Sequence, residues 1–288
     1  MIAVFGGWCE GLFRKSERKR RGVRYLTGYR LEVGSLSDAG CCRPINQDHI
    51  GFVRFAEKNE LLSVVADGMG GHRAGEIASR LAIEAIQQHY GSLLERFNLP
   101  QVLEKAFAEA NKAIYRAAQQ EPEQRGMGTT LVALAVQKGR GYYANVGDSR
   151  LYLIRNGESV QLSRDHTVVA ELVKDGLITV EAAKNHPDQS VITRAVGTHT
   201  AVAVDVCDEP VPLQIGDRFM LCSDGLYDLV EESEIEAAVS ELQPQEACQQ
   251  LVQLAKERGG HDNISVIVIE VESGDLSVPN KETPVTRS

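Results

Sequence analysis

The order of strand-like and helix-like segments restricts which folds this chain can adopt. Eight short segments rich in Val, Ile, Leu and Tyr lie between turn residues and predict strands over 31–37, 50–55, 61–66, 130–136, 141–146, 151–154, 218–222 and 264–271. Helical periodicity occurs in pairs, first over 73–90 and 101–119, then from Ser233 and over 244–260. Because strands and helices do not alternate singly, we expect an α+β fold of two mainly antiparallel sheets flanked by helix pairs.

Three local signals refine this prediction. Asn156-Gly157 is a two-residue hairpin turn after strand 151–154. Glu121-Pro122 ends the second helix, and Ser233-x-x-Glu236 predicts a capping box at the start of a later one.

Residues 166–190 differ from the rest because they contain few residues of core size. Apolar residues at helical spacing predict one short helix that ends at Gly176, namely Val168, Val169, Leu172 and Val173. A second short helix is expected from Thr179, before His186-Pro187. We therefore expect a small flap over the body at 166–190.

Charge is distributed unevenly along the chain. Residues 1–30 carry eight Lys and Arg against two Glu, a balance of +6. Because the net charge of the chain is −9, residues 31–288 carry −15. An acidic body argues against nucleic-acid binding and suits cation binding. We expect a disordered basic extension at 1–30, one domain at 31–271 and a polar tail at 272–288. A weak contact of the extension with a membrane surface or an acidic partner is the alternative.

Six cysteines, at positions 9, 41, 42, 207, 222 and 248, form no C-x-x-C pair and no zinc-site spacing. The first thirteen residues are mildly apolar and precede the basic cluster, which is the reverse of a secretory signal. Both observations favour a cytoplasmic protein with reduced thiols.

Four aspartates lie where apolar strands begin or end. LLSVVA runs into Asp67-Gly68, FMLCS runs into Asp224-Gly225, Gly147-Asp148 joins two strands, and Asp262 precedes ISVIVI. Carboxylates on rigid strand ends can share a cleft and bind hard divalent cations, whereas each Asp taken singly is an ordinary turn residue. This pattern alone predicts a metal-dependent hydrolase and leaves its substrate open.

A series of motifs resembles bacterial type-2C metal-dependent protein phosphatases, the PPM family. The motifs follow in the family's order: Ser37-Asp38-x-Gly40-x-x-Arg43-x-x-Asn46-Gln47-Asp48, Val65 to His72 (VADGMGGH), Gly128-Thr129-Thr130, Gly147-Asp148-Ser149-Arg150, Ser163-Arg164-Asp165-His166, Thr193-Arg194-Ala195-Val196-Gly197, Leu221 to Gly225 (LCSDG) and Asp262-Asn263. The resemblance implies a four-layer α-β-β-α sandwich with the metal site between its sheets. It also implies a serine/threonine phosphatase acting in signal transduction.

The same resemblance implies roles for individual residues. Asp67 would bridge two Mn²⁺ or Mg²⁺ ions, the Gly68 carbonyl would bind the first ion, and Asp224 with Asp262 the second. Asp148 with Asp224 would form a third-ion site, and Asp48 would orient waters. Many relatives have Glu at the position of Gln47, so weaker ion affinity is expected here. A hydroxide shared by the two ions would attack phosphorus in line.

Two basic side chains are candidates for contact with the substrate. Arg43 would grip the phosphate oxygens as a bidentate fork, and a surface salt bridge is its alternative. His72 is the candidate acid for the leaving serine or threonine oxygen, and a helix cap or a water contact is its alternative. His166 is expected to fix the hinge of the flap.

Two rival functions remain open at this stage. One is an inactive pseudophosphatase that acts as a scaffold. Such relatives usually lose a metal-binding aspartate, whereas this chain has all five carboxylates, Asp48, Asp67, Asp148, Asp224 and Asp262. The other is a small-molecule phosphomonoesterase. The expected partners of the main hypothesis are phosphorylated proteins, targets of a serine/threonine kinase, acted on by a monomer.

Overall fold

The structure is a computed structural model that describes residue 26 and residues 28–55, 58–71 and 73–274. The predicted basic extension at 1–30 and the polar tail at 272–288 lie almost entirely outside the described residues, and so does His72. No described helix is long and apolar enough to cross a membrane.

Twelve strands and seven α-helices make up the described chain. The strands are β1 (Tyr29–Asp38), β2 (Asp48–Phe55), β3 (Glu60–Met69), β4 (Gly128–Thr129), β5 (Leu131–Gln137), β6 (Arg140–Val146), β7 (Arg150–Arg155), β8 (Glu158–Gln161), β9 (Asp205–Val206), β10 (Val211–Pro212), β11 (Arg218–Cys222) and β12 (Ile264–Ser273). The helices are α1 (Ala74–Leu94), α2 (Leu99–Gln120), α3 (Val168–Lys174), α4 (Val180–Ala183), α5 (Asp224–Tyr227), α6 (Glu232–Glu241) and α7 (Pro244–Glu257).

The strands form two sheets whose neighbouring strands are all antiparallel. The first sheet has the order β1-β12-β11-β7-β8. The second has the order β10-β6-β5-β3-β2, with β9 paired to β6 and β4 to β3. Strands β1 and β12 pair from Tyr29↔Ser273 to Asp38↔Ile264, so the first sheet extends two residues beyond each end of the predicted 31–271 domain.

Three apolar clusters hold four layers together. One joins the second sheet to α1 and α2, for example through Leu62 and Phe107. Another joins the first sheet to α6 and α7, and the third lies between the sheets, where Leu134 and Phe219 are buried. Full burial of such side chains contributes about 1.5–3 kcal/mol each. The predicted α+β fold, an α-β-β-α sandwich of two antiparallel sheets, is confirmed.

Most local signals match the structure. Asn156 and Gly157 both have positive φ angles (57° and 81°) in the turn between β7 and β8, as a type I′ hairpin requires. Helix α2 ends at Gln120, before Pro122. In the flap, α3 is followed by Gly176 with a φ of 70°.

The predicted capping box at Ser233-x-x-Glu236 is wrong. Helix α6 begins two residues earlier, with Glu231 as its N-cap, and the Glu231 amide donates to Glu234 Oε2 at 3.1 Å. The Glu236 side chain is used elsewhere, because its Oε1 accepts from the Ser159 amide at 2.8 Å. That contact ties the hairpin of β7 and β8 to α6, and Glu236 lies past the N3 position that a capping box uses.

Candidate functional site

The first part of the site is the end of the β2–β3 pair. Asp48 and Asp67 are register partners on these neighbouring strands, and the six residues of β3 that precede Asp67 are buried in the core. The backbone at Asp67 is fixed from the other side, because its amide donates to Thr130 Oγ1 at 3.1 Å and its carbonyl accepts from the Thr130 amide at 2.8 Å. Hydrogen bonds along both edges of β3 therefore fix the backbone from which the Asp67 carboxylate extends.

The second part is the end of the first sheet. Asp224 follows the buried strand β11 and opens the short helix α5, and Asp262 lies two residues before the start of β12. Asp262 Oδ1 accepts from the Asn263 amide at 2.8 Å. Asp148 lies before β7, is 5% exposed, and its carbonyl accepts from the Tyr227 hydroxyl at 3.1 Å. The two sheets thus bring together the aspartates predicted from the sequence.

These carboxylates perturb one another. Burial raises the pKa of Asp48 and that of Asp148 to about 7, and the Asp224 charge adds to both shifts. The pKa of Asp67 is raised well above its usual range by burial and then by the charges of Asp48 and Asp224. Burial and then the Asp262 charge raise the pKa of Asp224. A cleft in which like charges oppose each other's ionisation is one that cations would stabilise.

The donor chemistry fits hard divalent ions. All the candidate ligands are oxygens, and buried Asp48 Oδ1 and Asp224 Oδ1 have no hydrogen-bond partner in the described part of the chain. Within the same residues, no three His, Cys, Asp or Glu side chains form a group that could enclose an ion by themselves. Mg²⁺ and related ions keep several waters and use few carboxylates, so an open set of oxygens is suitable.

Gly68 supplies a backbone carbonyl beside Asp67 in a space that excludes side chains. A Cβ on Gly68 would lie 2.1 Å from the Gly75 carbonyl oxygen and 2.6 Å from that of Gln47. The Gly68 amide donates to the Gln47 carbonyl at 3.2 Å. The residue type therefore follows from the close approach of β3 to the start of α1.

Arg43 lies on the loop between β1 and β2. Its Nη2 pairs with Asp262 Oδ2 at 2.8 Å, and its side chain is 54% exposed. The salt-bridge alternative considered for Arg43 is thus present in the structure, with a candidate metal ligand as its partner. The guanidinium is held at the rim of the acidic cleft.

Two histidines were singled out from the sequence. His72 lies outside the described residues. His166 is buried, its Nδ1 accepts from the Gly147 amide at 3.0 Å, and its Nε2 lies 3.0 Å from Asp205 Oδ2. Burial first of all lowers the pKa of His166, and an imidazole that accepts at Nδ1 is the neutral tautomer. This side chain joins the start of the flap to the backbone beside Asp148.

Three supporting residues were not predicted from the sequence. Ser223 Oγ donates to Asp48 Oδ2 at 2.7 Å and accepts from the Ser265 amide at 3.0 Å. Asn263 Oδ1 accepts from the Gln47 amide at 2.8 Å, which connects the two sheets. Asp228 belongs to the same acidic region, because burial and then the Asp224 charge raise its pKa to about 6. Ser223 and Asn263 lie within the LCSDG and Asp262-Asn263 motifs beside a candidate ligand, but the motifs gave neither residue a role.

Comparison with known proteins decides the family. The family model for protein phosphatase 2C matches residues 44–257. The chain belongs to this family. Among curated protein phosphatase 2C relatives, the serine/threonine phosphatase stp of Listeria innocua is 39% identical over 238 residues, which is 81% of this chain and 93% of that protein. The serine/threonine protein phosphatase PstP of Mycobacterium tuberculosis is 38% identical over 85% of this chain and 46% of its own length.

Solved structures of the family share the fold. The crystal structure of M. tuberculosis PstP/Ppp superposes with a TM-score of 0.76 at 38% identity and covers 84% of this chain and 99% of that one. The S. agalactiae serine/threonine phosphatase gives 0.76 at 34% identity, with 84% and 100% covered. The catalytic domain of PstP in complex with two manganese ions gives 0.71 at 36% identity, with 85% and 99% covered.

Proposed function

We propose that this chain is a divalent-metal-dependent protein phosphatase that removes phosphate from phosphoserine and phosphothreonine. The observation that carries the proposal is the meeting of Asp48, Asp67, Asp148 and Asp224 at the ends of two opposed sheets, with pKa values raised by burial and mutual repulsion. Membership of the protein phosphatase 2C family supplies the reaction class.

The proposed metal ligands are those that the family resemblance implies. Asp67 and the Gly68 carbonyl would hold one Mn²⁺ or Mg²⁺ ion. Asp224 and Asp262 would hold a second ion, to which Asp67 would also contribute. Asp148 and Asp224 would hold a third ion. Bound ions of this kind lower the pKa of a shared water and offset the negative charge of the phosphate. The relative described with two manganese ions supports the first two positions.

Arg43 is proposed to bind the phosphate group. It is the cationic side chain held against the acidic cleft, and more than half of its surface is open to an incoming ligand. A guanidinium can form two parallel hydrogen bonds to phosphate oxygens, which fixes the orientation of the ester. The ion pair with Asp262 would keep Arg43 ready beside the site before substrate binds.

Two further groups are proposed to handle protons and water. Asp48 is buried beside its register partner Asp67 and accepts a hydrogen bond from the Ser223 hydroxyl, which fixes the orientation of its carboxylate. We propose that this carboxylate orients water in the site. His72 is retained as the proposed acid for the leaving alkoxide, on the basis of its place in the VADGMGGH motif.

The proposed substrates are phosphorylated proteins, including targets of a serine/threonine kinase, in cytoplasmic signal transduction by a monomeric enzyme. The described cysteines are all free thiols, which suits a reducing compartment. The flap at 166–190 is proposed to contribute to substrate choice, since Leu177 and Val180 on it are 68% and 50% exposed.

Phosphate release from a phosphothreonine peptide, with and without Mn²⁺, tests the function. We expect turnover only with the metal, and a fall of about 10²-fold or more for Asp224→Asn, because the variant would hold the ion that offsets transition-state charge less tightly. Asp208→Asn is the matched control, because Asp208 is exposed and outside the cleft. Turnover that is independent of metal, or equal in both variants, contradicts the proposal. A preference for small phosphate esters over peptides would instead indicate a phosphomonoesterase.

A further inference from the structure

Two adjacent thiols lie on the loop that carries Arg43. Cys41 and Cys42 are both exposed. Cys41 Sγ lies 3.6 Å from the Lys256 carbonyl oxygen, and Cys42 Sγ lies 3.7 Å from that of Gly259. Both thiols therefore donate to carbonyls of the same turn, at the end of α7, and face the same side of the loop.

The loop is fitted closely against that turn. The Cys41 amide donates to the Gly260 carbonyl at 2.8 Å, and a Cβ on Gly260 would lie 3.0 Å from Cys41 Sγ. A Cβ on Gly40 would lie 2.2 Å from the carbonyl oxygen of Asp262. The loop that carries the two cysteines therefore lies in close contact with the backbone between Gly260 and Asp262.

The other described cysteines are unsuited to thiol chemistry. Cys207, Cys222 and Cys248 are buried, and burial raises the pKa of the Cys222 and Cys248 thiols to about 12. A thiol must ionise to react, and burial disfavours the ionised form of these side chains. Cys41 and Cys42, in contrast, are exposed and accessible to a small oxidant.

We infer that Cys41 and Cys42 form a reversible modification site, at which a small disulfide oxidises the pair to a vicinal disulfide and thereby withdraws Arg43 from the phosphate. One thiolate attacks the external disulfide, forms a mixed disulfide and expels one thiolate. The second cysteine attacks the protein-bound sulfur and expels the other. The two thiol protons leave with the two released thiols, so the pair loses two electrons and the external disulfide gains them.

Ring closure changes the loop in two ways. The sulfurs lose their hydrogens, so neither can donate to the Lys256 or Gly259 carbonyl any longer. Consecutive Cα atoms are about 3.8 Å apart, closer than the usual range for a disulfide, so the peptide between them must distort. Arg43 is the next residue, and its pairing with Asp262 depends on the position of this loop. A strained bond of this kind is readily reduced, which makes the modification reversible.

The effect on turnover rests on the proposed function, whereas disulfide formation does not. The experiment therefore measures disulfide formation by mass and turnover by kinetics. A Cys9→Ser background removes the cysteine outside the described residues. The protein is treated with oxidised glutathione, its intact mass and its 41–42 peptide are measured without reductant, and phosphothreonine-peptide kinetics are measured with Mn²⁺. We expect loss of two hydrogens and a KM increase of roughly tenfold, because losing one hydrogen bond to a charged group has an effect of about this size. Dithiothreitol should reverse both changes.

Cys41→Ser and Cys42→Ser provide the controls. A serine hydroxyl can still donate to the same carbonyls, so each variant should match the unoxidised protein in KM. With one thiol left, each can form only a mixed disulfide with glutathione and should show no loss of two hydrogens. The inference is overturned by a persisting glutathione adduct on the protein that has both cysteines, by ring closure with an unchanged KM, or by loss of two hydrogens in either Ser variant. If the reduced protein has no phosphatase activity, the proposed function fails, and the mass measurement still decides whether the disulfide forms.

Discussion

Gly68 and Gly75 pack backbone to backbone, with no room for a side chain on either residue. A Cβ on Gly75 would lie 2.6 Å from the Gly68 carbonyl oxygen and 3.0 Å from the Gln47 side chain. Gly68 follows Asp67 on β3, and Gly75 lies in the first turn of α1. The contact therefore sets the strand that carries Asp67 against the helix that follows the VADGMGGH motif.

Gly75→Ala should disturb the site from outside it. An added methyl group must push β3 and α1 apart, so we expect a loss of about 1–3 kcal/mol in the free energy of unfolding and a higher Mn²⁺ concentration for half-maximal turnover. Gly91→Ala is the control in the same helix, since nothing lies within 4 Å of its Cβ. That change should stabilise by up to about 1 kcal/mol. Urea unfolding and metal titration check both, and equal behaviour of the two variants contradicts the account.

The acidic cleft should make the metal-free protein less stable as pH rises. The carboxyl pKa values of Asp48 and Asp148 are about 7 in the folded chain, above the usual value of 3.8, so the folded state binds more protons than the unfolded state between those values. Stability therefore falls as pH increases from about 4 to about 7 and levels off above that. We expect a lower Tm at pH 8 than at pH 5.5 after chelation.

Added Mn²⁺ should reverse this trend. Metal ligands must be deprotonated, so the ion competes with protons and stabilises the protein more at pH 8 than at pH 5.5. Differential scanning calorimetry with and without Mn²⁺ at both pH values measures the difference. Asp224→Asn should reduce the gain in Tm, and Asp208→Asn should leave it unchanged. A metal effect that is the same at both pH values would exclude the cleft carboxylates as ligands.

Sequence patterns predicted the elements of the fold because each carries its own periodicity or turn chemistry. Eight of the strands, the paired helices and the Asn156-Gly157 turn follow from residues that are neighbours in the chain. The placement of aspartates at strand ends is local in the same sense, which is why Asp67 and Asp224 could be singled out. Two-residue strands such as β9 and β10 carry no period and were not predicted.

The contacts that orient the site could not be predicted in this way. Ser223 and Asp48 are 175 positions apart, and Arg43 and Asp262 are 219 apart. Which residues meet depends on how two sheets stack, and no pattern within either segment encodes it. The misplaced capping box has a different cause, since Glu231 and Glu234 form one at the same spacing two residues earlier.

A buried ion pair far from the cleft should be important for stability. Arg155 and Asp217 form two hydrogen bonds of 2.7 Å, with 7% and 1% of their side chains exposed. Asp217→Ala leaves a buried guanidinium without its partner, and we expect a loss of about 3–5 kcal/mol in the free energy of unfolding. Glu84→Ala, which breaks the exposed Arg80–Glu84 pair, should cost less than about 1 kcal/mol. Chemical denaturation of both variants tests the contrast, which fails if the two losses are similar.

Ser223→Ala should move the pH dependence of catalysis without removing a candidate ligand. The Ser223 hydroxyl hydrogen bond to Asp48 lowers the pKa of that carboxyl and opposes the effect of burial. Without it the carboxyl is harder to ionise, so the acid limb of the kcat/KM profile should shift upward by roughly one pH unit, since a hydrogen bond to a charged group is worth about 1.5–3 kcal/mol.

Ser63→Ala is the matched control for this shift. Ser63 is also fully buried on a strand, but its Oγ has no hydrogen-bond partner within the described residues. Removing an unpaired buried hydroxyl should leave the pH profile unchanged and keep or raise the free energy of unfolding by about 1 kcal/mol. If both variants shift the acid limb equally, the cause is a general change in packing. If only Ser223→Ala shifts it, the hydrogen bond to Asp48 sets the ionisation on which turnover depends.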